Sequence, residues 1–128
     1  MDDGEHRARI EALMEMLAGI YLRIMKLLAL LPIPIAIPPI VDDGDMRDAA
    51  RALARARMLV LDLPVDDMTK SLLLMMLTEW LAALDLCAVS LHEDEQEGYR
   101  IDAVWLMIQR IGSMTEMLSL HLGLDLDV

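Results

Sequence analysis

The chain has no phenylalanine, no asparagine and a single cysteine among its 128 residues. A lone Cys87 excludes an internal disulfide and carries no mark of an oxidising compartment. Glycine and proline are few outside one segment, which argues against a disordered chain and for a compact helical one. Long uncharged apolar runs are missing too, because Arg23, Lys26, Glu79 and the prolines interrupt them, so no membrane span is expected. The opening stretch MDDGEHRARIEAL lacks the basic-then-apolar order of a signal peptide. Basic side chains number 11 against 22 acidic ones, for a net charge of -11. That field repels phosphate backbones and anionic lipid, which sets nucleic acid and membrane surfaces aside as partners. The expectation is a soluble protein, cytoplasmic or recombinant.

Catalytic signatures are equally sparse. The sequence contains no glycine-rich phosphate loop, no Cys/His metal spacing, no HExxH and no GxSxG. The Glu-x-x-His pattern of di-iron bundles is also missing. Glu11 and Glu15 are one helical turn apart but lie opposite the apolar stripe of their helix. An acid–base enzyme is therefore the weakest class, and no catalytic residue is assigned.

What the chain does have is apolar periodicity. Hydrophobic residues make up 56% of it, 12 of them methionine. They recur at the helical period in four blocks, at about residues 3–31, 45–61, 66–91 and 99–122. The first block carries Ile10, Leu13, Leu17, Ile20, Ile24, Leu28 and Leu31 on one stripe. The third carries Leu73, Met76, Leu77, Trp80, Leu84, Cys87 and Leu91, and the fourth Ile101, Val104, Ile108, Ile111, Leu118 and Leu122. Asp45 reads as an N-cap for the second block. Short later connections favour antiparallel neighbours. The expected fold is all-α, one domain over 1–128: an antiparallel up-down-up-down four-helix bundle.

Between the first two helices lies PIPIAIPPI, residues 32–40, a long apolar Pro/Ile-rich extended connection. Proline forbids helix here, while isoleucine seeks cover. At about 1.5 Å per residue the second helix is some two turns shorter than the others. The strap is expected to close the corner left at the end where the first helix finishes.

Small residues at that level, with methionines and isolated polar groups, suggest a small-molecule site in the core. Its expected lining is Ile35 and Ile37 of the strap, Ala49, Leu53 and Arg57 of the second helix, Met76, Trp80, Ala83 and Cys87 of the third, and Ile108 and Thr115 of the fourth. Trp80 would stack on an apolar or planar ligand, and Arg57 and Thr115 would offer it hydrogen bonds. Haem is the alternative cofactor, held by His6 and His121, which an up-down-up-down order brings to one end. No other metal site is expected. A third expectation is a homo-oligomer or partner helix on outer apolar residues Leu22, Leu74, Met75, Leu106 and Leu120.

With capped helices, the Ala/Arg-rich exposed face RDAARALARAR and no targeting signal, the chain resembles de novo designed helical bundles as a class. That resemblance implies an idealised all-α fold and carries over no site residue.

Overall fold

The computed structural model describes residues 3–40, 46–92 and 98–126. It contains four helices, α1 (Asp3–Ala29), α2 (Met46–Leu61), α3 (Asp67–His92) and α4 (Tyr99–Leu122). The all-α four-helix bundle is as expected, and the helix bounds agree with the apolar periodicity to within two residues. Asp45, expected to cap α2, lies outside the described residues.

Each helix is ended by local chemistry. The chain bends after Ala29, and Pro32 and Pro34 prevent any return to helix. The last carbonyls of α2 receive Lys70 Nζ at Leu61 O, 3.1 Å, a cation at the negative end of the helix. At α3, Asp66 is the cap: its carboxylate accepts the Thr69 N–H at 3.1 Å and the Thr69 hydroxyl at 2.6 Å. Gly123 adopts a left-handed φ of 67° after α4. That turn lets Leu124 N–H reach Ser119 O at 2.8 Å and folds Leu126 back into the core.

The helix directions differ from the up-down-up-down order. His6, at the start of α1, lies 2.9 Å from the Ser90 carbonyl near the end of α3. Arg9 pairs with Asp102 in the first turn of α4, and Lys26 Nζ donates to Leu126 O just beyond its last turn. So α1 is antiparallel to α3 and parallel to α4. Lys70–Leu61 and Arg57–Thr78 set α2 antiparallel to α3. The order is up-up-down-up.

The strap is the physical reason. Ile35 N–H bonds Leu28 O at 2.9 Å, and Pro38 O accepts the Tyr21 hydroxyl at 2.6 Å. Three strap residues thus return along seven residues of α1. An extended chain at about 3.1 Å per residue and a helix at about 1.5 Å cover the same distance, close to 10 Å, over those counts. Instead of capping a corner, the strap doubles back along α1 and delivers the chain to α2 part-way down the bundle. α2 then climbs in the same sense as α1. The missing turns of α2 fall at the opposite end from the one expected, because its last residue, Leu61, meets Lys70 at the start of α3.

The core runs continuously through all four helices and the strap. Tyr21 and Trp80, both fully buried, meet at 5.8 Å between ring centroids with their planes tilted by 52°. Trp80 Nε1–H donates to Leu17 O at 2.9 Å, so the indole is satisfied without a ligand. α3 is long and apolar enough to cross a membrane. Here Leu73, Met76, Leu77, Trp80 and Ala83 of α3 are buried within the bundle.

Past the bend, the strap alternates: Ile35 and Ile37 are buried, while Pro34, Ala36 and Pro38 face outward. Ile33, inside the bend, is 44% exposed. Ile35→Ala is expected to cost about 2–4 kcal/mol in urea unfolding, and Ile33→Ala about 0.5 kcal/mol or less. Equal losses at the two positions would contradict this seating of the strap.

Candidate functional site

Of the residues expected to line one core site, all but Arg57 are buried, and those near the strap do not meet those near Cys87. Leu53, Met76, Trp80 and Ala83 are wholly covered, and Ala49, Cys87, Thr115, Ile35, Ile37 and Ile108 nearly so. The reversed strap separates them. Ile35 is bonded at the level of Leu28, whereas Cys87 lies one turn from Ser90, at the level of His6. About 33 Å of helix separates Leu28 from His6.

Their polar groups are also occupied. The Thr115 hydroxyl donates to Ile111 O at 2.8 Å, the usual self-satisfaction of a helical threonine, with Met76 Sδ at 3.6 Å. Ser119 does the same to Thr115 O. Cys87 is buried, and desolvation pushes its thiol up to about 11, which leaves it neutral at physiological pH. Arg57 does not enter the core. It is exposed, and its Nε–H donates to the Thr78 hydroxyl at 2.9 Å. Position 57 borders the inward sector of α2, and the long side chain leaves that border outward to reach α3. Ala88, beside Cys87 in sequence, is exposed.

The two histidines expected to share an iron sit at opposite ends. His6 is with Ser90 at the α1 start, and its Nδ1 and the Ser90 hydroxyl are buried without partners. His121 is at the far end, its Nε2 2.9 Å from Asp66 Oδ2. The parallel course of α1 and α4 is what parts them. Among the described residues, no three His, Cys, Asp or Glu side chains gather as a metal set.

An open groove of about 330 Å³ lies between α1 and α4 at the end where both begin. α1 contributes Arg9, Ala12, Leu13 and Met16, and α4 contributes Ile101, Asp102 and Trp105. These spacings put each set on one face of its helix. Leu13 and Ile101 form a buried floor; Met16 and Trp105, 43% and 45% exposed, form the walls. Arg9 Nη2 and Asp102 Oδ1 sit 3.8 Å apart at the rim, both well exposed. Ala12 leaves the space between them open. Sequence reasoning missed this groove because it required the relative direction of α1 and α4. Its one visible signal was Trp105, a large ring set off the inner stripe of its helix.

The fold and the groove define a helical bundle with a partly open cleft between α1 and α4. No protein-family model, curated protein or solved structure matches the chain.

The Asp66 cluster predicts a pH response. Hydrogen bonds from the Thr69 hydroxyl and N–H, and then His121, hold the Asp66 carboxyl down at about 2, against an ordinary 3.8. A lowered folded value means that its contribution is complete above the unfolded value. It is lost as pH falls from about 4 toward about 2. Asp66→Asn is expected to be less stable than the parent at neutral pH, with the gap closing across that window in urea titrations. A gap independent of pH would contradict the ionised cap.

Proposed function

We propose that the protein is a small-molecule binding module whose site is the α1–α4 groove rather than the core beneath the strap. One observation carries this reading: at about 330 Å³, the groove sits within the range of small-ligand sites, with an apolar floor and an exposed indole wall. The core offers the contrary picture, since Trp80 and Thr115 already spend their hydrogen bonds internally. A planar, largely apolar molecule suits the groove best, its face on Trp105 and its edge on Met16. Sulfur and indole adapt to such shapes without large rearrangement. The carboxylate that lines the groove, Asp102, is exposed and paired with Arg9, so the reading is binding. It takes α3 as a core helix of a soluble protein, and the net charge of -11 weighs against polyanionic partners.

Titration with N-phenyl-1-naphthylamine, a neutral aromatic probe, tests the reading through the probe's own emission. Binding is expected with Kd on the order of 100 µM. Ala12→Gln, which fills an exposed position with a neutral side chain, should weaken it about tenfold. Affinity unchanged in Ala12→Gln, or no binding at all, would overturn the reading.

A second reading rests on the outer apolar side chains. Leu106 and Leu120 of α4 are 59% and 84% exposed, Met75 is 53% exposed and Leu22 47%. Leu74, expected among them, is half-buried and packs on the core. Association of two copies through α4 predicts a sedimentation coefficient that rises with concentration and falls back in Leu106→Glu/Leu120→Glu. A monomer at all concentrations up to about 1 mM would remove this reading.

A further inference from the structure

Resting on the groove as the binding site, we infer that its ligand is a planar aromatic cation. Three independent features favour positive charge there. The exposed Trp105 ring presents a π face, which attracts a cation at close range. Asp102 places a carboxylate at the rim, with its side chain 75% exposed and free to turn toward an incoming ligand. The protein as a whole carries -11, and Glu93, Asp94, Glu95 and Glu97 immediately precede Gly98 in the sequence. Such a field concentrates cations near the surface.

The opposing groups are few. Arg9 is the cation that lines the groove, and it already pairs with Asp102 at 3.8 Å. An exposed pair at that distance is weak, so a ligand cation displaces Arg9 at small cost. Arg100 stands next to the groove in sequence, and its guanidinium is set over the Tyr99 ring, 5.3 Å from its centroid. The N-termini of α1 and α4 both add partial positive charge at this end. Asp102, in the first turn of α4, offsets that of its own helix. Fused heteroaromatic cations match this surface. Carboxylated or sulfonated aromatics do not.

Proflavine and acridine separate the charge from the shape, because they share a planar tricycle and differ in charge at neutral pH. Calorimetric titration of the full chain at about 20 mM salt is expected to show proflavine about tenfold tighter than acridine. The advantage should shrink at about 200 mM salt, where screening is stronger. Asp102→Asn should weaken proflavine about fivefold and narrow its advantage over acridine. Arg9→Gln, which removes the competing cation, should strengthen proflavine instead. Equal affinities of the two dyes in the parent protein would overturn the inference and leave the groove reading standing. Binding of neither dye would overturn both.

Discussion

The direction of every later helix depends on how residues 32–40 leave α1. A tight turn would have sent α2 down beside α1 as an antiparallel neighbour. The Tyr21 hydroxyl on Pro38 O and the Ile35 N–H on Leu28 O instead fasten an extended segment along α1. The segment suits that task chemically. Prolines cannot fold it into helix, and their outward positions remove N–H groups that would otherwise seek partners. The alternate isoleucines supply the apolar contact. Once the strap has descended, α2 can only climb, α3 descend and α4 climb. The parallel α1–α4 pair follows, and so does the groove between their first turns.

Elements and faces were legible in the sequence, because apolar period reports on each helix separately. Ile10, Leu17 and Ile24 on α1, and Ile101, Val104 and Ile108 on α4, are buried as their spacing requires. Direction is a different kind of information. It is set by a few tertiary contacts, and a tyrosine hydroxyl reaching a proline carbonyl leaves no periodic trace. The mistaken sharing of one end by His6 and His121 descends from that single missing fact. So does the gathering of Ile35 and Cys87 into one site. Arg57 points outward for a more local reason: a helical wheel fixes only its Cβ, and a long side chain can run from an apolar sector to the surface.

The site itself was largely hidden. Grooves form between helices, and their residues are those that fall off both inner stripes, such as Met16 and Trp105. On one helix they read as ordinary exposed apolar residues. Only the pairing of α1 with α4 makes them opposing walls. The core behaves in the reverse way, attractive in sequence because it mixes small, sulfur-containing and hydroxyl side chains. In the fold, the Thr115 hydroxyl and the Trp80 indole are already satisfied.

The pairing of α1 with α4 also has a consequence for how the chain assembles. α2, α3 and α4 follow one another with close neighbours in sequence, so they can meet through short loops. α1 cannot: Arg9 waits for Asp102, and Lys26 for Leu126. During synthesis α1 is made first, yet the surface it needs is completed last. Until α3 and α4 arrive, the part of α1 between Tyr21 and Leu28 has the strap to cover it, fastened through Pro38 and Ile35. The strap is therefore a local chaperone as well as a connector, a piece of core that α1 carries with it while it waits.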